Sequence, residues 1–147
     1  MKSKNALVAA MGVLALAGSG LAAAAADLKA SYFHGTWIIN DTDCSDVTAE
    51  FATLYDSGAV RTERSKRVES AGIWELKDDM LQAHIVASPS YFSEHFPEAR
   101  DTLDAFAGQY YAFFIRVVPF NVQPDSFEAV GVLEQEITQA TFQRCPG

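Results

Sequence analysis

Imidazole chemistry in this chain would fall to His34, His84 and His95, and no two of them stand at metal-ligand spacing. Each is therefore read as a lone histidine, on the surface or satisfied by neighbours. Serine-based acyl transfer would want a Gly-x-Ser-x-Gly elbow between a strand and a helix, and residues 27–147 hold none. Asp41, Asp43 and Asp46 crowd one loop, and Asp41-x-Asp43-x-Ser45 has the opening of a calcium loop. Such a loop needs glycine at its sixth position and glutamate at its twelfth. Asp46 and Ala52 stand there instead, so the cluster reads as a solvated turn. Neither a metal nor another cofactor is expected.

Two cysteines, Cys44 and Cys145, remain as reactive groups. They are too far apart in sequence for a C-x-x-C redox pair and have no neighbouring histidines for a zinc site. In an oxidising compartment the simplest reading is a disulfide between them. Arg61, Arg64, Lys66 and Arg67 form the one basic cluster of an acidic chain. They read either as a charged hairpin that blunts a sheet edge or as a patch for an anion, lipid headgroups or an acidic protein face. The aromatic stretch Tyr91, Phe92, Phe96, Phe106, Tyr110, Tyr111, Phe113 and Phe114 has two readings as well. It is core beneath a helical lid, or Tyr91, Phe92, Phe96, Phe106, Tyr110 and Phe114 supply rings to a pocket for an apolar ligand.

The ends of the chain bear on where such a site would work. Lys2 and Lys4 precede an apolar run from Ala6 to Ala17, Gly18-Ser19-Gly20 breaks it, and Ala24-Ala25-Ala26 offers small residues before Asp27. This is the pattern of a cleavable secretory signal over 1–26. A spanning helix would want about 20 strongly apolar residues, so no transmembrane anchor is expected after cleavage. The destination is the periplasm or the medium. The 11 Lys and Arg against 19 Asp and Glu give a net charge of −8, and losing Lys2 and Lys4 deepens it. Such a surface repels phosphate backbones, so nucleic acid is not an expected partner. Residues 27–147 suit one domain.

Short alternating runs between turn signals predict antiparallel strands over 35–39, 47–55, 59–66, 68–76, 80–87, 110–118, 127–133 and 137–144. Asp56-Ser57-Gly58 and Lys77-Asp78-Asp79 are hairpin turns. The strand 59–66 reads as polar on both faces. Over 93–107 the period changes: Phe96, Ala99, Leu103 and Phe106 fall at the spacing of a helix stripe. The expected fold is all-β, an antiparallel up-and-down barrel of about eight strands, closed to remove its edges, with one inserted helix.

Several motifs then coincide. Gly35-Thr36-Trp37 stands on the first strand with a cysteine shortly after, Gly72-Ile73-Trp74 on a later strand, and Phe142-Gln143-Arg144-Cys145-Pro146 at the end. Over roughly 33–87 and 126–146 the chain resembles small exported bacterial proteins described as lipocalin-like; the region 88–108 departs from that pattern. The resemblance implies a barrel plugged at one end by Trp37, with Arg144 as its cation–π partner. It also implies binding rather than catalysis, with a small apolar molecule as ligand. The alternative is an envelope protein as partner, with this chain a protease or lysozyme inhibitor or an envelope factor acting through its loops.

Overall fold

The computed structural model describes residues 27–87, 111–133 and 136–147. Residues 1–26, the expected helix over 93–107, His95 and the pocket candidates Tyr91, Phe92, Phe96, Phe106 and Tyr110 lie outside the described residues.

A single helical turn, α1 (Ala30–Phe33), leads into β1 (Gly35–Ile39). The chain continues through β2 (Glu50–Leu54), β3 (Ala59–Arg64), β4 (Arg67–Lys77) and β5 (Met80–Ala87), then β6 (Tyr111–Phe120), β7 (Ser126–Leu133) and β8 (Glu136–Arg144). Each strand pairs antiparallel with the next, and β1 pairs with both β2 and β8, so the sheet closes into an up-and-down barrel. The expected fold class is the one observed.

Local chemistry sets the register. Gly58 takes φ +85 in the β2–β3 turn, where a side chain would be strained. Ser65-Lys66 and Asp78-Asp79 both have positive φ, the two-residue turn whose twist matches that of antiparallel strands. At Gly72 the constraint is space: a Cβ there would fall 1.9 Å from the carbonyl oxygen of His84 on β5. The second strand starts three residues later than the alternation predicts. Asp46 accepts hydrogen bonds from the backbone N–H and hydroxyl of Thr48, which holds that stretch in a turn.

The strand 59–66 is not polar on both faces. Val60 and Thr62 point inward and are buried. Thr62 is satisfied there by a 2.6 Å hydrogen bond between its hydroxyl and that of Ser70, which removes most of the penalty for burying either group.

Alternation gives the barrel a continuous inner face. Trp37, Ala52, Leu54, Val60, Trp74, Leu81, Ala83, Ile85, Phe127 and Ala129 form one buried cluster with Phe33. At its N-terminal end β1 meets the turns after β2, β4 and β6, and α1 lies beside it. At the other end lie the β3–β4 turn, the end of β5 and the start of β6. The β1–β2 connection leaves from this second end, yet it carries Cys44 back to a disulfide with Cys145, whose N–H donates to the Thr36 carbonyl at the first end. The connection therefore doubles back outside β1, and Ile38, on the strand face opposite Trp37, is fully buried.

Candidate functional site

The two ends of the barrel differ in how they are filled. Trp37 is fully buried at the α1 end and donates its indole N–H to the Phe33 carbonyl at 2.8 Å. Phe127 packs edge-on against both Phe33 and Trp37 and stacks flat on Phe142 at 4.5 Å. The Arg144 guanidinium lies 4.2 Å from the centre of the Trp37 ring. It also donates to the carbonyls of His34 at 2.8 Å and Tyr32 at 2.6 Å, and faces Asp125 at 3.3 Å. A cation over an indole face with its N–H groups satisfied is a stable arrangement. The Tyr32 hydroxyl lies within hydrogen-bond reach of two carbonyls, Gln123 at 2.5 Å and Ser126 at 3.0 Å. Burial pushes that phenol above its ordinary range, against the opposing pull of Arg144. This end is solid, with the Arg144 guanidinium over the Trp37 ring.

Among the described residues the opposite half is not filled. A cavity of about 330 Å³ opens between the inner faces of β1, β2, β6, β7 and β8. Ile39, Phe113, Ile115, Leu133 and Phe142 give it apolar walls. Small residues leave the room: Ala129, Gly131 and Ala140 line it where larger side chains would reach across. The volume is at the lower end of the range of ligand pockets, about 300–1,000 Å³, and a barrel of this strand number is of a size to hold one small molecule.

Among the described residues one charged side chain faces this space. Glu50 lines the cavity with only 12% of its side chain exposed, and Arg64 Nη2 donates to it at 3.4 Å. Arg64 Nε lies 3.8 Å from Glu69. Glu50 and Arg64 are direct register partners of β2 and β3, and Glu69 sits at the register shift in β4 opposite Thr62 and Glu63. The bulge re-aims Glu69 toward the arginine.

The structure divides the basic cluster. Arg61 lies on the outer side with Glu63, 3.2 Å away, and its guanidinium is 5.7 Å from the Tyr55 ring centre. Arg64 is on the inner side with Glu50, Lys66 is in the hairpin turn, and Arg67 is exposed at the start of β4. Four residues spread over two faces and a turn do not make one anion patch, because a strand sends successive side chains to opposite sides.

Phe114 is also displaced from its expected place. The inner face of β6 carries Phe113, Ile115 and Val117, so Phe114 faces outward. There it meets His84 at 4.7 Å between ring centres and lies under the Arg116 guanidinium at 5.2 Å. A groove of about 390 Å³ runs over Ala112, Phe114, Arg116 and Val132. Phe114 is an outer-face residue and takes no part in the barrel cavity. Phe113, its neighbour, holds the inward position instead.

Asp41, Asp43 and Asp46 spend their oxygens locally. Asp41 accepts from the N–H groups of Thr42 and Asp43, and Asp43 from the hydroxyl and N–H of Ser45. The Ser45 hydroxyl, then its N–H, holds the Asp43 carboxyl below its ordinary range, and Thr48 does the same for Asp46. The loop is a chain of side-chain-capped turns. Among the described residues no helix is long and apolar enough to cross a membrane. The disulfide is compatible with an exported chain.

The alternation of short strands pointed to the barrel but not to its cavity-facing ion pair. Glu50 and Arg64 look like ordinary surface charges until they are counted outward from the Asp56–Gly58 turn, which sets them opposite one another. Tyr32 and Phe33 were a second available signal: two aromatics just before a predicted first strand, in a segment too short to show any period. Comparison of the chain with known protein families and with curated proteins finds no match.

Proposed function

We propose that this chain is an exported, non-enzymatic binding protein that holds one small apolar ligand in the unfilled half of its barrel. The observation that carries the reading is the contrast between the two ends. One is packed solid around Trp37 and Arg144, whereas among the described residues the other keeps a mainly apolar space, bordered by Ala129, Gly131 and Ala140 with Asn40, Glu50, Thr138 and Gln139 as its polar members. Well-packed interiors have few voids larger than a water molecule, so a void of ligand size lined by small residues is better explained by an occupant than by poor packing. The lipocalin-like sequence pattern supports the same reading, with residues 1–26 as the export signal and the periplasm or medium as the place of action.

A neutral apolar fluorophore, N-phenyl-1-naphthylamine, tests it. Saturable one-to-one binding is expected for the oxidised chain. In Ala140→Trp, whose indole would occupy the cavity from β8, affinity should fall by at least about tenfold, a loss of roughly 1.4 kcal/mol of binding. Melting temperature should be unchanged or raised, because a void is filled. Equal binding by both proteins would place the dye elsewhere and remove the support for a ligand inside the barrel.

A second reading has its own observation. Ile73 and Val86 on the outer face are 64% and 47% exposed, on the strands that flank Phe114 and its partner His84. Adjacent exposed apolar side chains favour contact with another protein, as an envelope interaction protein or an inhibitor of a protease or lysozyme would use. If this reading is right, Phe114→Ser abolishes partner binding and leaves dye binding intact.

A further inference from the structure

β8 runs on past the strand that closes the barrel against it. β1 ends at Ile39, and its pairing with β8 covers only Phe142 to Arg144. One position further, the Asn40 N–H donates to the Thr141 carbonyl at 2.8 Å, and the Thr141 N–H donates to the Asn40 side chain at 3.0 Å. There the chain turns away, with Asn40 at φ +55. The N–H and C=O of a strand residue point to one side, and those two positions along do the same. Gln139 and Ile137 therefore present theirs to the side that β1 has left, and among the described residues no backbone group takes them up. Glu136, Ile137, Thr138 and Gln139 are all exposed. Natural sheets guard an open edge with lysine, proline or a bulge. Here the register with β7 runs unbroken from Gln143 to Glu136, and the stretch from Glu136 to Ala140 carries neither lysine nor proline.

We propose that this edge takes an extended peptide of another protein, neutral or basic, added as a strand beside β8. Its backbone pairs with Ile137 and Gln139. Its alternate side chains fall on the inner face, level with Thr138 and Ala140, which line the cavity. The register partners of those two are Gly131 and Ala129, so small side chains leave room behind the edge for an apolar one. Strand addition divides recognition in this way: main-chain hydrogen bonds hold the segment, and a pocket reads every second side chain. A single strand also continues the line that β1 gives up at Asn40. A second copy of this chain suits the edge less well, because it repeats a net charge of −8 and like charges oppose association. The small-molecule reading needs the cavity alone, whereas this inference needs the edge.

Random heptapeptides displayed on phage are selected against the chain with its disulfide formed, and the enriched sequences are synthesised and titrated by fluorescence anisotropy. Bound peptide should slow hydrogen exchange at the amides of Ile137 and Gln139, which exchange fast in the free protein. The amides of Thr138 and Ala140, turned to β7, should be unaffected. Ile137→Pro removes one edge donor and sets a ring in the path of the added strand, without touching the β7 ladder. Peptide affinity should then fall at least about tenfold, the scale of one hydrogen bond. Ile137→Ala keeps the N–H and should bind within about threefold of the parent. Both variants should bind N-phenyl-1-naphthylamine as the parent does, so failure of the edge and failure of the cavity reading are told apart. Absence of any enriched peptide, or equal peptide binding by a folded Ile137→Pro, overturns the proposal. Protection of Ile137 and Gln139 without peptide overturns it too, because this chain or a second copy then covers the edge. Should Ile137→Pro fail to fold, the exchange pattern in the unaltered protein decides alone.

Discussion

Replacing Trp37 by alanine should destabilise the protein by roughly 3–5 kcal/mol, the range for truncating a buried large aromatic. With a urea slope of about 2 kcal/mol per M, the midpoint should fall by about 2 M. Three separate losses add up at this position. The indole is wholly buried among Phe33, Tyr32 and Phe127, so its removal leaves a cavity that β1 cannot collapse into, pinned as it is between β2 and β8. The Phe33 carbonyl loses the N–H that satisfies it at 2.8 Å. The Arg144 guanidinium loses the aromatic face beneath it. Trp37→Phe separates these terms. It keeps a ring in the plug but not the donor, and should cost less than half as much as the alanine variant. A Trp37→Ala protein within about 1 kcal/mol of the parent would mean that this end is not a packed plug.

The second large effect lies in the covalent closure. The Cys44–Cys145 bridge joins positions 101 residues apart, and for a loop of about that length the chain-entropy treatment gives about 4.7 kcal/mol. Against a total stability of about 5–15 kcal/mol for a native domain, a Cys44→Ala/Cys145→Ala protein should be marginal. The effect is not only on the unfolded chain. The bridge also holds the β1–β2 connection against the outside of β1, where it joins the hydrogen bonds between Asn40 and Thr141 in keeping Ile38 covered. The double variant should therefore show early hydrogen exchange at the paired ends of β1 and β8 before global unfolding. If the double variant and the reduced parent both melt where the oxidised parent does, the bridge contributes little to stability.

These two positions also show what a linear sequence does and does not reveal. Strand alternation is a strong signal because it repeats: β1, β5, β7 and β8 each lie within a residue of the stretches predicted from period-two patterning. The disulfide followed from a pair of cysteines and little else. The signal failed where polar groups are satisfied inside. Thr62 and Ser70 count as surface residues in any pattern of hydropathy, yet each satisfies the other in the interior. It failed again on β6, where aromatics alternate with aromatics. Phe113 and Phe114 are interchangeable by type, and only the pairing with β5, which sets Phe114 opposite His84 and Phe113 opposite Ile85, decides which one faces in. The basic cluster looked like one patch because four cations lie within seven positions. A strand and a tight turn then sent them in different directions. The cavity itself had no linear signal, since it is made by small residues on β7 and β8 facing β6, far apart in the chain. Glu50 and Arg64 could have been paired from the hairpin turn between them, but nothing in sequence says that their common face is the inner one.

Whether the open half of the barrel is occupied in its native setting is the most direct question. Native mass spectrometry on protein purified without detergent from its native source answers it, followed by the same measurement after incubation with N-phenyl-1-naphthylamine. The expected result is a species heavier than the polypeptide by one small molecule, exchanged for the dye on incubation and lost in Ala140→Trp. A bare polypeptide mass before and after incubation would contradict the account.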